Sequence, residues 1–503
     1  MIAIYNNVIF PFFRLVIQSD ISPPSKVRRT PSMSSPGRFK ASPPRARFVH
    51  RPSAPAGRGT SASAATSSAG ASSTDTRRTP GLVVGLGDPV SDILVRLEDP
   101  DLAQRVFAKC GVEEPGGCLP VDSDQDIQRF LTACADEWVD GAGVPNETMD
   151  EESGSAWQPS YCPGGSAANV CKGIANLSAG CEATFVGMVG RDEVGKRYRS
   201  LLQAQNVRPV LLQCRGDDGG DDSKNNLSSA QCLSLVEKGG QRTMRTYLGA
   251  SLQMGPGDFP VEEAFGSDPK LLHLEGYNLY RPELAKVAMR AAKQKGALVS
   301  LDLASFEVVR NCRVSLLEIL NENLVDLLFA NEDEALELLK GDDSDEANAF
   351  HERRAKSAES NSKDEKENTS KEFTRQDADD ALRWMLRYCS VATVSLGARG
   401  CVSLDSQNNK GIAPGVRVPV VDTTGAGDSF TAGYLAAYLN GASPQACASC
   451  GCAVGTQAVQ VLGAELTFQK WDELAVVVKD VVKLDRERAS VGVEGIVVAQ
   501  TVS

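Results

Sequence analysis

Asp428 follows Gly425, Ala426 and Gly427 directly in VPVVDTTGAGDSFTAGYLAAYLNG, residues 418–441. Val418, Val420 and Val421 form a β-branched run, read as a short strand, that stops at Asp422-Thr423-Thr424, where polar side chains favour a turn. A helix is expected next: Phe430, Tyr434, Leu435, Tyr438 and Leu439 recur at three- and four-residue spacing, and Gly441 with Pro444 supplies a stop. Residues 425–427 then sit at the helix N-terminus, where unpaired amides and the positive dipole end make an anion site. A carboxylate beside such a site repels its ligand unless it does chemistry. Asp428 can take a proton from a hydroxyl while the amides stabilise charge on a phosphoryl group in transit. The competing reading is a glycine-rich turn whose Asp caps the helix, and GAGD alone does not decide between them.

Three other places carry residue types suited to a polar ligand. Gly164 and Gly165 let a ligand approach the backbone, Ser166 opens a helix, and Asn169 lies one turn in, where an amide can donate and accept at once. Asp92 follows the strand-like LVVGLG and a turn, and its two oxygens can accept from two vicinal hydroxyls. Asn331 and Glu334 follow the apolar run VDLLFA. A capping Asn with a first-turn Glu reads equally well as helix architecture.

The longer strings narrow the reading. DTTGAGDSFTAGYL resembles the C-terminal signature of the ribokinase, or phosphofructokinase-B, family of sugar and nucleoside kinases, and GGSAANVCKGIANLSAG (164–180) resembles its substrate-side motif. The two stand in family order, about 260 residues apart. The resemblance covers about residues 81–482 and implies ATP as phosphoryl donor, Asp428 as catalytic base, and Gly425, Ala426 and Gly427 as the anion hole. By the same resemblance Arg242 stabilises the moving phosphoryl. Asp92, Gly165, Ser166 and Asn169 hold the acceptor. Asn331 and Glu334 organise Mg²⁺, Glu334 through water, as magnesium's reluctance to shed its shell favours. Ser395, Gly397, Gly400 and Thr424 contact ATP, and a monovalent cation belongs to the same expectation.

RTMRTYLGA, HLEGYNLYRP, FANEDEA and VVDTTGAGDSF bring the chain nearest the adenosine-kinase-like branch. That branch places an aromatic beside the purine, a role Tyr277 would fill. The implied activity is phosphorylation of a primary hydroxyl of a nucleoside, adenosine first. A fructokinase or ribokinase activity is the alternative, and a non-catalytic plastid scaffold a further one. The partner expected is a small nucleoside or sugar, with no nucleic acid and no membrane, and the protein is expected as a monomer or a dimer formed through its lid.

These residues need a scaffold. Runs 82–87, 183–189, 271–274, 297–303, 325–330 and 391–396 read as buried strands, with helices between them over 194–205, 282–294 and 377–388. That alternation specifies an α/β fold, a doubly wound, mostly parallel sheet with helices on both faces and ligands at the strands' C-terminal ends, and the family resemblance implies that it is ribokinase-like and carries a lid. A small β lid is expected from about 93–160 and 229–250. Residues 98–160 look less regular, with a loop at 146–157. Residues 341–376, dense in charge and nearly without apolar side chains, read as a disordered insertion or a fraying helix, and 483–503 as a tail.

The 503 residues are 42% hydrophobic, enough for a large core. Residues 1–80 hold twelve Lys or Arg against Asp20 and Asp75, a balance of +10, which leaves −22 of the chain's −12 total for the remainder. An acidic body argues against nucleic-acid and anionic-membrane surfaces. The Ser-, Ala-, Pro- and Arg-rich N-terminal segment reads as a chloroplast transit peptide, with Met33 an alternative start and a cytoplasmic protein the outcome otherwise. Fourteen scattered cysteines suit free thiols in a reducing compartment, with CASCGC (Cys447, Cys450, Cys452) in a packed helix. Three histidines leave little room for His-based triads or multi-His metal sites.

Overall fold

The computed structural model describes residues 81–97, 99–112, 118–140, 159–178, 180–215, 227–238, 242–340, 342, 344–360, 373–463 and 465–491. The expected transit segment, the loop at 146–157 and the end of the tail lie outside these residues. All described residues belong to one compact unit, Thr79–Ser503.

A nine-stranded sheet runs through this unit in the order β14-β13-β12-β11-β10-β9-β1-β5-β6. Its strands are β1 (Gly81–Leu86), β5 (Cys181–Val189), β6 (Val207–Gln213), β9 (Pro269–Glu275), β10 (Leu298–Asp302), β11 (Leu327–Ala330), β12 (Val391–Ser395), β13 (Cys401–Asp405) and β14 (Lys410–Ala413). From β6 to β12 every neighbouring pair is parallel, and only β13 and β14 close the far edge antiparallel. Covered on both faces, the central strands are apolar almost throughout, as parallel strands between helices must be. Leu272, Leu274, Val299 and Leu301 enter one core and Leu271, Leu327 and Phe329 the other. Strand alternation puts His273 and Glu275 on the face of Leu271.

The second core is built on helix contacts too close for side chains. The helices Ser166–Leu177, Ala426–Leu439 and Pro444–Ala458 pack side by side. A Cβ on Gly173 would lie 2.4 Å from Cβ of Ala432, and one on Gly433 would lie 2.8 Å from the Cys450 carbonyl oxygen. Cys447 and Cys450 are buried in this packing.

A second, five-stranded sheet has the order β3-β8-β7-β2-β4, from β2 (Ser91–Leu97), β3 (Cys118–Pro120), β4 (Ser160–Pro163), β7 (Gln231–Glu237) and β8 (Arg242–Tyr247). Ile93, Val95 and Leu97 alternate toward one face with Leu233 and Leu235, and two helices, Pro100–Cys110 and Asp124–Asp140, cover it. The described residues of the region expected to be irregular are thus largely helical. Most of their charges lie outside while Leu102, Val106, Ile127 and Phe130 recur at helical spacing inside, and Asp99 caps the first helix by accepting from the Asp101 amide at 3.0 Å.

Three further expectations need correction. Residues 418–421 form no strand: Val420 is 61% exposed, and the Val421 amide donates to the Val459 carbonyl instead of a sheet neighbour. The charged segment 341–376 carries a helix, Asp345–Ser360, because Ala347 and Phe350, one turn apart, insert into the main core and Arg353 pairs with Asp377 and Asp380. Nor does the tail begin at 483, since the last helix runs Phe468–Val491 and Asp485 accepts from the Ser443 hydroxyl at 2.6 Å.

Gly173→Ala is expected to cost about 1–3 kcal/mol, the usual penalty for overpacking a tight contact. Thermal unfolding measures that loss, and a variant as stable as wild type would show that the two helices can separate freely.

Candidate active site

The parallel strands bring their C-terminal ends to one edge, and the chemistry collects there. In register, Glu275 at the end of β9 pairs with Asp302 at the end of β10, and Asn331 and Ser395 lie at the ends of β11 and β12. Over this edge comes the N-terminus of the helix Ala426–Leu439. Gly425 precedes it with φ +65°, a left-handed conformation that turns the chain into the helix. A side chain on Gly427 would meet open space among the described residues, so the helix end faces outward.

Asp428 lies in the first turn, and Asn169 Nδ2 donates to its Oδ2 at 2.7 Å. The two motif residues predicted to share a site thus touch. Burial, then Asp302, pushes the Asp428 carboxyl up to about 7 against the opposing pull of the Asn169 hydrogen bond and Lys172. Asn169 Oδ1 is buried and has no partner among the described residues. It is an acceptor aimed where a hydroxyl would complete it.

Asp92 comes from β2, at the start of the second sheet. Its carboxylate rests on Gly164, where a Cβ would lie 2.0 Å from Oδ2, and Gly165 turns at φ +96° past the Asp88 carbonyl. Glycines are required at both places. The Tyr198 hydroxyl fixes the turn by donating to the Gly164 carbonyl at 2.9 Å, and half-buried Ser166 begins the helix carrying Asn169. Burial raises Asp92 to about 7 as well, with Lys172 and Arg242 opposing and Glu465 and Asp428 adding to the rise.

Arg242 reaches the site from β8, and its partner is a residue sequence reading passed over. It pairs with Asp422, the first residue of DTTGAGD. Buried Asp422 also accepts from the Thr424 amide at 2.7 Å and the Gly463 amide at 2.6 Å, so one carboxylate organises the whole loop. Thr424 is held here by its backbone.

Asn331 and Glu334 form a capping box: the Asn331 amide and Nδ2 donate to the two Glu334 oxygens at 2.8 and 2.7 Å, and the Glu334 amide donates to Asn331 Oδ1 at 2.9 Å. The architectural reading of this pair is therefore realised. Glu334 is nonetheless 2% exposed and pushed up to about 8 by burial and by Asp302. Gly397 and Gly400 shape the turn after β12. Gly400 is needed because a Cβ there would lie 1.9 Å from the Ala413 carbonyl oxygen, and Arg399 between them pairs with Glu332.

The sequence assigns no role to Glu275, which lies inside HLEGYNLYRP, or to Asp302. Glu275 Oε1 lies 2.8 Å from His273 Nε2, whose Nδ1 lies 2.8 Å from Ser300 Oγ, and Asp302 accepts from the Thr431 hydroxyl at 2.8 Å. Burial holds His273 down at about 3 and Glu275 well above the carboxylate range. Their one sequence signal is an acid at the C-terminal end of a buried strand. Tyr277, two residues past Glu275, is 46% exposed and so is not core packing.

A family model described as pfkB family carbohydrate kinase matches residues 141–471. Probable fructokinase-7 of Arabidopsis thaliana is 28% identical over 281 residues, 54% of this chain and 69% of that protein. Aminoimidazole riboside kinase of Salmonella typhimurium is 29% identical over 293 residues, 55% of this chain and 75% of that one. Among solved structures, a probable sugar kinase from Rhizobium etli superposes with TM-score 0.57 at 25% identity, covering 80% of this chain and 99% of its own. An adenosine kinase from Sinorhizobium meliloti shares the fold, with TM-score 0.56 at 24% identity and the same coverage. The motifs, the two sheets and this family match agree, and the chain belongs to the pfkB family of carbohydrate kinases, which transfer a phosphoryl group from ATP to an alcohol.

Proposed function

We propose that the chain phosphorylates the primary hydroxyl of a nucleoside, adenosine first, with Asp428 as general base. The observation that carries this reading is the Asn169–Asp428 hydrogen bond. It ties up one oxygen of the carboxylate and aims the other, while Asn169 Oδ1 is left to accept from the acceptor. A base held near neutrality by burial is matched to its task. Asp92 receives ring hydroxyls, the N-terminal amides of the Ala426–Leu439 helix take developing negative charge on the phosphoryl group, and Arg242 screens the loop through Asp422. The Gly397–Gly400 turn and Thr424 border the ATP side, and the second sheet acts as lid over the acceptor.

Magnesium fits the Asn331–Glu334 corner. A buried carboxyl raised by a neighbouring carboxylate is relieved by a cation, and two Glu334 lone-pair positions remain beyond the capping bonds for bound water. When bound, the ion would neutralise ATP phosphate charge. For the acceptor, exposed Tyr277 favours a nucleoside because a purine offers a face to stack on and a free sugar does not. The fructokinase relative supports a sugar as the second reading. A non-catalytic scaffold is disfavoured by a base held in bonding distance of its motif partner. The basic N-terminal composition supports a plastid address. Among the described residues no helix is long and apolar enough to cross a membrane.

Asp428→Ala and Asp428→Asn are expected to lower turnover about 10²- to 10⁴-fold and leave ATP binding nearly intact, since the carboxylate serves the acceptor proton. Turnover close to wild type in both would sink the assignment. In wild type, kcat/KM should fall as pH drops through about 7, where Asp428 and Asp92 take up protons as a coupled pair. The same raised pKa has a stability sign: ionised Asp428 burdens the folded state, most above pH 7 and not at all well below its unfolded value. Asp428→Asn should therefore melt a few degrees above wild type at about pH 8.5, with the gap closing toward about pH 5. A gap that widens on acidification contradicts this.

Tyr277→Ala should raise the adenosine KM about tenfold with a smaller effect on kcat, because stacking on a remote base is mostly uniform binding. Steady-state kinetics with adenosine and fructose side by side check it. An unchanged adenosine KM in a stable variant moves the preferred acceptor to a sugar.

A further inference from the structure

Lys172 is a cation buried beside this site, and neither motif chemistry nor the capping architecture accounts for it. It lies three residues past Asn169 on the Ser166–Leu177 helix and is 2% exposed, among Cys171, Gly173 and Ile174, all buried. Lysines are almost never buried so fully unless paired, because desolvating an ammonium is costly. Lys172 is paired twice: Nζ donates to the Pro163 carbonyl at 2.9 Å and forms an ion pair with Glu465. Both partners bear on the acceptor site. Pro163 immediately precedes Gly164, on which the Asp92 carboxylate rests, and Glu465 stands two residues past Gly463, whose amide holds Asp422.

We propose that Lys172 is a positioning residue for phosphoryl transfer: anchored by Glu465, its ammonium pins the Pro163–Gly165 turn against Asp92 and is the counter-charge shared by Asp92 and the base Asp428. The proposal rests on the phosphotransferase reading of Asp428.

The surroundings agree with it. Lys172 is the strongest charge favouring ionised Asp92, ahead of Arg242, and it favours ionised Asp428 too. Asp92 faces Lys172, Glu465, Asp428 and Arg242, while Asp428 faces Asn169 and Lys172 from one helix and Asp302 and Glu275 from the strand ends. Around Lys172 itself stand Glu465, Asp92, Asp428 and the Cys162 thiol. Glu465 works in both senses, holding Lys172 in place and repelling Asp92. An apolar side chain would fill the same slot without desolvation cost, so the charge is what the site uses.

The test is kcat/KM against pH for the full chain with ATP and, in parallel, adenosine and fructose, in Lys172→Met, Lys172→Arg and Glu465→Gln. Lys172→Met should move the acid limb up by about one pH unit, the usual effect of losing a close opposite charge. It should also raise the acceptor KM several-fold and leave the ATP KM in place, and Lys172→Arg should restore the limb. Glu465→Gln should move the limb the opposite way, downward. A merely structural pair would lower the melting temperature in all of them and move no limb, and that result overturns the proposal. If Lys172→Met does not fold, Lys172→Gln decides, and an unmoved limb in that variant overturns the proposal. Turnover retained by Asp428→Asn would bring down the general-base reading and this proposal together. An inactive Asp428→Asn beside an unmoved Lys172→Met limb overturns the Lys172 assignment alone.

Discussion

One hydrogen bond between residues 259 apart, Asn169 to Asp428, is the constraint the rest of the structure serves. It forms only if two helices from opposite ends of the unit approach until their backbones nearly touch. Gly173 against Ala432 permits that approach, and Gly433 against Cys450 repeats it on the other flank. The parallel sheet supplies the direction. With β1, β9, β10 and β11 pointing the same way, their polar ends meet beneath the helix N-terminus and their apolar bodies fill two cores.

The electrostatics follow from crowding. Glu275, Asp302, Glu334, Asp428 and Asp92 share one edge, and burial raises each of them. Arg242 and Lys172 supply the opposing sign, each tethered by a carboxylate of its own, Asp422 and Glu465. The second sheet contributes Asp92 and Arg242, so its register with the glycine loop sets the charge at the acceptor as well as the shape.

Much of this was legible in the chain. The two signature strings located Asn169 and Asp428, and helical periodicity placed the helix Pro282–Gln294 on its observed ends. Elsewhere local pattern misled. Valines 418, 420 and 421 have strand propensity, but the Val421 amide turns to the Val459 carbonyl, so the run joins no sheet and Val420 and Val421 stay exposed. Charge concealed the apolar stripes of Pro100–Cys110 and Asp124–Asp140, and it hid the two core residues of Asp345–Ser360. Lys172–Glu465 and Arg242–Asp422 join residues far apart in sequence; Lys172, Arg242 and Asp422 lie inside family-like strings, but nothing local says which residue each one pairs with. Glu275 and Asp302 matter through strand register, which appears only once β9 and β10 are paired.

The His273 ring has a consequence for how the site's field is counted. Kept neutral by burial, it has one nitrogen that gives a hydrogen and one that receives. Its Nε2 faces the Glu275 carboxyl and its Nδ1 the Ser300 hydroxyl, so both ring nitrogens have a partner, and burial raises Glu275 in a way that favours its protonated form. Burial that favours the protonated form of the clustered acids leaves the negative potential facing an incoming polyphosphate weaker than the tally of acidic side chains implies.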